Sequence, residues 1–392
     1  MSAPPASSTP ARPRTLGRRL ERASKRWWTR VLVRTVRPRP TPLPQADAVR
    51  HLLVLRPHNQ MGDTVLTLPA LRLLRQAYPR ARLVYLTNPL SEELLRGFPE
   101  IDRLLVFEKE EVRPWKWARF LVALRRPRPD LAIVLGTVSF STTSALLAWW
   151  SGARFRAGVS SRHFGSELSQ ALYHLELPLG PPEAHEVEHN AAPLRALGIQ
   201  GAGGIPELVP LPEAQREAKE FVDRKFPDHF GPLVVVHPGA GKKANVWPVE
   251  RFAQVAQLLA SQERARILAS EGPRDAAAVA EFLGLCPAAV RWRASLTATL
   301  GLLSGADLFL GNDTGMAHVA AACGTPTVAI FGPTDPKRWS PAGRAVRCVR
   351  SATGKVADAG LEDVLAAAIA MLRARDNSAT ATVTAPPVGR LP

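Results

Sequence analysis

The sequence predicts an α/β protein built from two doubly wound, Rossmann-like domains. Short apolar segments typical of buried strands alternate with segments of helical period along most of the 392 residues. Such alternation is typical of parallel sheets covered by helices on both faces. A Gly- and Pro-rich stretch, residues 198–212, divides the pattern into two blocks, and a chain of this length is long enough for two domains.

The first block begins near Val49. A polar turn follows its first strand and leads into a long helix at 64–78, which Pro69 should make irregular in its first turns. The predicted strands are 51–56, 82–86, 103–107 and 131–135. The predicted helices lie near 91–97, 114–125, 141–151 and 185–197, and residues 154–186 are less regular.

The second block opens with a charged helix at 213–226. Its predicted strands are 233–237, 265–269, 290–292, 308–310 and 327–331. Its other predicted helices are 249–261, 274–283, 296–304, 316–323 and 361–373. The expected domains are a basic arm at 1–47, folded domains at 48–205 and 206–375, and a disordered tail at 376–392.

The composition is that of an ordinary soluble globular protein, with 46% apolar and 22% charged residues. No apolar run approaches the ~20 residues of a membrane-spanning helix, and arginines interrupt any signal-peptide core. The three cysteines show neither metal-ligand spacing nor a disulfide framework. A reducing, cytoplasmic location is therefore expected.

The net charge of +17 is concentrated in an N-terminal arm. Residues 1–45 contain eleven Lys or Arg and one acid, Glu21, which gives 11 − 1 = +10. Residues 16–36, which include Trp27 and Trp28, have the pattern of a basic helix that lies on an anionic membrane surface. A solvated, disordered tail and a nucleic-acid-binding arm are the alternatives.

The most informative motif follows the strand predicted at 308–310 and reads G-N-D-T-G-M-A-H. The backbone N–H groups of Thr314 and Gly315 would face a ligand at a helix N-terminus, which suits a phosphate. Asp313 suits a hydroxyl or ribose donor, and His318 lies one turn into the helix. Together these groups indicate a nucleotide-sugar site. The alternative is a simple helix cap beside a surface histidine.

A second motif, N-Q-M-G-D, ends the turn after the first strand. It offers Asn59, Gln60 and Gly62 as an acceptor or phosphate loop and places Asp63 at the start of a helix. A nearby carboxylate can take the proton of a sugar hydroxyl as the hydroxyl attacks. A role for Asp63 as a helix N-cap is the alternative, and the two roles are compatible.

A third motif, H-P-G-A-G-K-K-A-N-V-W-P, follows the strand at 233–237. Its loop amides and the ammonium groups of Lys242 and Lys243 suit a diphosphate leaving group. Solvated surface lysines are the alternative. His237, at the strand end, is expected to hydrogen-bond the loop, and Trp247-Pro248 opens a helix.

No resident cofactor or metal is expected. Neither block contains G-x-G-x-x-G, which argues against a dinucleotide-dependent oxidoreductase. His185 and His189 have helical spacing, but no further ligands of recognisable spacing accompany them, and there is no Asp-x-Asp motif.

These motifs resemble glycosyltransferase family 9, the ADP-heptose:lipopolysaccharide heptosyltransferases and their relatives. The resemblance covers roughly residues 50–373 and includes M-G-D at 61–63, L-P-A-L at 68–71, H-P-G, W-P and D-T-G-x-x-H. It implies a GT-B fold, in which two Rossmann-like domains face each other across a cleft. It also implies inverting, metal-independent transfer of heptose from ADP-heptose to a lipid-linked glycan acceptor of the lipopolysaccharide core.

By the same resemblance, Asp63 is the catalytic base. The implied donor-binding residues are Lys242, Lys243, Trp247, Asp313, Thr314, Gly315 and His318. A lipid acceptor favours membrane contact over nucleic acid for the arm, so the expected location is the cytoplasm, with peripheral contact at the inner face of its membrane.

The sequence departs from the family pattern at two places. Asn245 stands where the family usually has Lys, two residues before the Trp. The helix at 296–304 contains no Glu of the kind that holds the donor ribose in many relatives. A different donor or acceptor, or binding of a nucleotide sugar without catalysis, therefore stays open.

Overall fold

The computed structural model describes residues 38–56, 60–108, 113–201 and 203–383. These residues form two six-stranded sheets in which every neighbouring pair of strands is parallel. The strands of the first sheet are β1 His51–Leu55, β2 Arg82–Thr87, β3 Arg103–Val106, β4 Leu131–Val134, β5 Phe155–Val159 and β6 Leu175–Leu177. Those of the second are β7 Leu233–His237, β8 Arg266–Ser270, β9 Val290–Trp292, β10 Leu308–Asn312, β11 Thr327–Phe331 and β12 Val346–Arg350.

Helices connect successive strands on both faces of each sheet. In the N-terminal domain they are α1 Met61–Val65, α2 Leu68–Ala77, α3 Pro89–Leu94, α4 Pro114–Arg125, α5 Thr142–Trp150, α6 Ser169–Leu172 and α7 Glu186–Ala191. In the C-terminal domain they are α8 Pro212–Lys225, α9 Val249–Gln262, α10 Ala276–Leu285, α11 Leu296–Gly305, α12 Gly315–Ala322, α13 Pro336–Trp339 and α14 Leu361–Val383.

Both sheets have the same strand order. The first reads β3-β2-β1-β4-β5-β6, and the second, from its other end, reads β9-β8-β7-β10-β11-β12. In such sheets the connections reverse direction between the first and fourth strands, which opens a crevice at the carboxyl ends of the strands. The crevices lie after β1 and β4 in one domain and after β7 and β10 in the other.

The N-terminal sheet is buried on both faces, so β1 is apolar throughout. Leu52 and Val54 face a core cluster that also contains residues of the C-terminal domain, among them Val235. Leu53 and Leu55 face a second cluster, which consists of N-terminal residues only and includes α4, α5 and α6. The second face of this sheet therefore points away from the C-terminal domain.

The two-domain α/β architecture expected from the sequence is confirmed. The irregularity expected at Pro69 is also confirmed, because α1 ends at Val65 and α2 starts again at Leu68. Among the helices of the described residues, none combines the length and apolar character that spanning a membrane requires.

Several local expectations need correction. Residues 154–186, expected to be less regular, contain strands β5 and β6, and β6 is only three residues long. Strand β12 was also not predicted, because it is a half-exposed strand at the edge of its sheet. The last helix runs to Val383, past the expected start of the tail at Asp376, since no Gly or Pro interrupts it. Residues 384–392 and residues 1–37 of the arm, which include the segment 16–36, lie outside the described residues.

Candidate active site between the domains

The predicted motifs meet where the two sheets direct their carboxyl ends toward each other. α1 follows β1, and α12 follows β10. A Cβ atom added to Gly62 would lie 2.9 Å from Cδ2 of His318, and one added to Gly315 would lie 3.0 Å from Cβ of Met61. The first turns of α1 and α12 are therefore in direct contact, and the missing side chains of the two glycines permit it.

Asp63 lies at this contact, in the third position of α1. It is not the cap of the helix, because Gln60 occupies that position and makes no side-chain capping bond. Burial raises the pKa of Asp63 above its ordinary value, and the nearby guanidinium of Arg56 opposes the increase. A carboxylate with a raised pKa is a stronger base toward a sugar hydroxyl than an exposed one.

Charged side chains from both domains act on Asp63. Glu186 contributes to the raised pKa, whereas Lys242 and Arg338 of the C-terminal domain lower it. Lys242 is exposed and also lowers the pKa of Asp313, so its ammonium is within electrostatic reach of both carboxylates. An exposed cation at this position suits a diphosphate that enters the cleft.

The structure describes only part of the loop at 238–245, called the lysine loop below, and only part of the turn before α1. Lys243 begins the 3₁₀ turn Lys243–Asn245, but its side chain lies outside the described part of the chain. Asn59 also lies outside the described residues. Gln60 precedes α1 in an extended conformation.

Asp313 is held by Asn245, the residue that departs from the family pattern. The Asn245 amide donates to the backbone carbonyl of Asp313 at 3.2 Å and to its Oδ2 at 3.3 Å. Burial raises the pKa of Asp313, and a hydrogen bond with the Thr334 side chain opposes the increase. Asn245 therefore orients the Asp313 carboxylate at the cleft.

Thr314 and His318 present polar atoms that are buried without a partner among the described residues. Thr314 is the N-cap residue of α12, and its hydroxyl has no hydrogen-bond partner there. Nδ1 of His318 is also unpaired. Burial, assisted by repulsion from His185, lowers the pKa of His318 to about 4. The imidazole is therefore neutral near pH 7, and it can exchange a hydrogen bond with a ligand without adding charge.

Trp247 does not face the cleft. Its side chain is fully buried in the core, and its indole N–H donates to the Ala359 carbonyl at 3.1 Å. Its backbone N–H donates to Oδ1 of Asn312 at 2.9 Å, and the Asn312 amide donates to the carbonyls of Pro238 and Gly239. The structure thus gives Trp247 a packing role, and buried Asn312 ties the lysine loop to the end of β10.

His237 contacts the end of β8 and the segment after it, rather than the loop that follows His237 itself, which the sequence analysis expected it to bond. Its Nδ1 lies 3.1 Å from the Ser270 carbonyl, and its Nε2 lies 3.6 Å from Oδ2 of Asp275. Burial lowers the pKa of His237 despite the nearby carboxylate. Among the described residues no group of His, Cys, Asp and Glu side chains could hold a metal ion.

Sequence reasoning assigned no role to a polar bridge between the domains. The fully buried Glu186 carboxylate accepts a hydrogen bond from the Thr137 hydroxyl and two from Arg338, at 3.0 and 3.2 Å. Beside it, Nε2 of His185 donates to the Ser340 carbonyl at 2.8 Å, while its Nδ1 accepts from the Val187 N–H. The adjacency of Glu186 to the predicted helix start was the only signal of this role in the sequence.

Comparison with known proteins identifies relatives of this chain and of its fold. The family model described as glycosyltransferase family 9 (heptosyltransferase) matches residues 117–368. A lipopolysaccharide core heptosyltransferase, OpsX, of Haemophilus influenzae is 23% identical over 300 residues, which cover 75% of this chain and 82% of the relative. A lipopolysaccharide heptosyltransferase 3 of Escherichia coli is 26% identical over 290 residues, or 71% of this chain and 83% of the relative.

Solved structures share the fold. A family 9 glycosyl transferase of Veillonella parvula superposes with a TM-score of 0.74 and 21% identity, covering 85% of this chain and 99% of that one. E. coli ADP-heptose lps heptosyltransferase II gives a TM-score of 0.69 at 22% identity, with 83% and 99% covered. The two facing Rossmann-like domains are therefore a GT-B fold.

Proposed function

Because the chain belongs to glycosyltransferase family 9, we propose that it is an inverting transferase that moves heptose from ADP-heptose to a glycan of the lipopolysaccharide core. The observation that carries the proposal is the contact between α1 and α12, which brings Asp63 of one domain to the D-T-G-x-x-H turn of the other. Relatives whose names specify lipopolysaccharide heptosyltransferases support this choice of donor and acceptor.

In the proposed reaction Asp63 accepts the proton of the acceptor hydroxyl. The hydroxyl oxygen forms a bond to the anomeric carbon, while the bond from that carbon to the diphosphate oxygen breaks on the opposite face. The electron pair leaves with the diphosphate. Lys242 and the backbone N–H groups at the start of α12 stabilise that negative charge, with a contribution from Lys243.

Donor recognition uses the C-terminal side of the cleft. Asp313, oriented by Asn245, accepts a hydrogen bond from a donor hydroxyl, and neutral His318 and the Thr314 hydroxyl complete the polar contacts. Gly315 leaves room for the approach of α1. Trp247 supports this site from the core rather than from the cleft.

Acceptor recognition uses Asn59 and Gln60, which precede α1, together with Gly62 in the first turn of that helix. We further propose that the arm at 16–36 contacts an anionic membrane, which would bring the enzyme to a lipid-linked acceptor at the inner face of the cytoplasmic membrane. Substitution of Trp27 and Trp28 by Ser should reduce vesicle binding and spare turnover of a soluble acceptor. Unchanged vesicle binding would remove this role of the arm.

A second donor is favoured by two observations. Asn245 engages Asp313, and α11 contains no carboxylate that could hold a ribose. A nucleotide sugar other than ADP-heptose is therefore the second candidate. A protein that binds nucleotide sugars without catalysis is excluded by any product formation.

The experiment is a thermal-shift titration with ADP, UDP, GDP and CDP, followed by transfer assays with the matching sugars and a heptose-deficient lipopolysaccharide core. Selective stabilisation by ADP and product from ADP-heptose are expected. Selectivity for another nucleotide would support a transferase that uses a different nucleotide sugar as its donor. Absence of any shift and of any product would contradict the proposal.

A further inference from the structure

The outer surface of α4 and α5 exposes large apolar and basic side chains, whereas the exposed face of an ordinary helix is mostly polar. Its members are exposed residues that recur at helical spacing and lie on the face of the N-terminal sheet directed away from the C-terminal domain. We call it the α4–α5 face, and it consists of Trp115, Arg119, Val122, Arg125 and Arg126 with Leu146, Trp149 and Trp150.

Large apolar side chains are exposed on this face to an unusual extent. Trp115 is 60% exposed and Val122 is 52% exposed on α4, while Trp149 and Trp150 are 39% and 41% exposed on α5. Isolated exposed apolar residues are normal, but several large apolar side chains exposed on two neighbouring helices mark a surface that meets another phase or partner. Two of them have cationic neighbours, since Arg113 lies 5.8 Å from the Trp115 ring and Arg125 lies 5.7 Å from the Trp150 ring.

The charge of the segment is strongly one-sided. Residues 113–165 contain nine Lys or Arg and one acid, Asp130. Asp130 accepts hydrogen bonds from the backbone N–H groups of Arg50 and His51 at the amino end of β1, so its carboxylate is used within the fold. Glu108, Glu110 and Glu111 precede the helix, and the excess of positive charge therefore begins with α4 itself.

We propose that the α4–α5 face binds the surface of an anionic lipid membrane. Exposed tryptophans beside arginines fit the headgroup level of a bilayer, where indole rings are half apolar and half hydrated and guanidinium groups meet lipid phosphates. The complementary charge of anionic lipid favours this occupant over a second copy of the chain, whose own α4–α5 face would repel it. The residues of this face belong to the folded domain and not to the arm at 1–47.

The α4–α5 face lies where membrane binding would assist catalysis, an argument that rests on the proposed transfer to a lipid-linked glycan. α4 and α5 both begin at the carboxyl edge of the N-terminal sheet, the edge that also carries Asp63. Val138, which precedes α5, is 55% exposed, and its neighbour Thr137 contacts Glu186 inside the cleft. A bilayer at this face would therefore present the glycan of a lipid beside the cleft.

The test is flotation of the full chain with vesicles of phosphatidylglycerol and phosphatidylcholine, compared with vesicles of phosphatidylcholine alone. One variant combines Trp115→Ser with Trp149→Ser, and a second combines Arg119→Ser with Arg126→Ser. Each is made with and without Trp27→Ser/Trp28→Ser, so that the arm and the face are separated. The matched control is Phe230→Ser/Arg216→Ser, two exposed residues of the C-terminal domain.

The arginine variant should bind anionic vesicles more weakly by about fivefold per arginine in both arm backgrounds. The control should bind like the wild type. Equal flotation of wild type and α4–α5 variants, or no flotation of the wild type, would overturn the proposal, as would a dimer that forms through this face without vesicle binding. Turnover of a soluble acceptor separates the two claims: its loss with intact flotation counts against the transferase only.

Discussion

The carboxylate of Glu186 and the guanidinium of Arg338 connect the two domains beside the catalytic cleft. Oε2 of Glu186 lies 3.0 Å from Nη2 and 3.2 Å from Nε of Arg338, and the Glu186 side chain is completely buried. The two residues are 152 positions apart in sequence. The pair also belongs to the electrostatic surroundings of Asp63, because Glu186 raises and Arg338 lowers the pKa of this proposed base.

The two halves of this pair should respond unequally to substitution. Arg338→Met leaves a buried, uncompensated carboxylate and should lower the free energy of unfolding by about 3 kcal/mol. Glu186→Gln should cost less, because the Arg338 side chain is 31% exposed and can be hydrated. Urea denaturation measures both values.

The control for this pair is Arg344→Ser, which removes an exposed contact with Glu207, the two side chains being 81% and 46% exposed. It should change stability by less than about 0.5 kcal/mol. Equal costs for Arg338→Met and Glu186→Gln would contradict the role of burial in this bridge.

Gly62→Ala tests the contact between the domains. The new Cβ would lie 2.9 Å from the His318 ring, so the domains must separate or the ring must move. We expect kcat/KM to fall at least about tenfold, because small displacements of catalytic groups are costly. Steady-state kinetics measure the effect.

Two companion variants make that result specific. Gly284→Ala, on α10, meets no atom within 4 Å and should leave kinetics unchanged. His318→Ala added to Gly62→Ala would remove the clash but also a donor contact, so it should recover stability without full activity. Normal activity of Gly62→Ala would show that the described contact is not needed for turnover.

Asn245 should act through Asp313. Asn245→Ala removes two hydrogen bonds to that residue and should raise KM for the donor about tenfold. Asn245→Asp should raise it further, because a second carboxylate would face Asp313. A donor titration of the three proteins gives the order, and an equal KM for the Ala and Asp variants would contradict an electrostatic role.

His318 makes the stability of the protein depend on pH. Its pKa is about 4 in the folded state and 6.5 without the fold, so its contribution is fully present above pH 6.5 and is lost as pH falls toward 4. The loss amounts to about 3 kcal/mol. The pKa values of His174 and His237 are lowered too, so the readout must be a difference between variants.

The free energy of unfolding of wild type and His318→Gln should therefore converge as pH falls from 6.5 to 4. Isothermal urea denaturation at several pH values measures that difference. Parallel curves over the whole range would show that His318 does not titrate as its burial requires.

Local sequence patterns were sufficient for much of the fold and for the individual motifs. The strand, turn and helix around Asp313 depend on neighbouring residues, so their order could be predicted from the chain. The strand, turn and helix around Asp63 could be predicted in the same way, although Asp63 is the third residue of its helix and not the N-cap. Because ligands bind at the carboxyl ends of parallel strands, both motifs could be expected to lie at one cleft.

Tertiary contacts account for what the sequence did not indicate. Glu186 and Arg338 become partners only when the domains meet, and beyond the position of Glu186 at a predicted helix start no local pattern marks the pair. Trp247 lies at a helix start, as the sequence predicted, but its burial depends on contacts with residues as distant in sequence as Ala359. Short strands such as β6 contain too few residues for a detectable period.

The central claim is that Asp63 is the base of a sugar transfer, and Asp63→Asn tests it most directly. The measurement pairs product formation from donor and acceptor with the thermal shift produced by the nucleotide. The account predicts that turnover falls at least about a hundredfold, while nucleotide binding stays near that of the wild type. An Asp63→Asn enzyme that transfers sugar at the wild-type rate would contradict it.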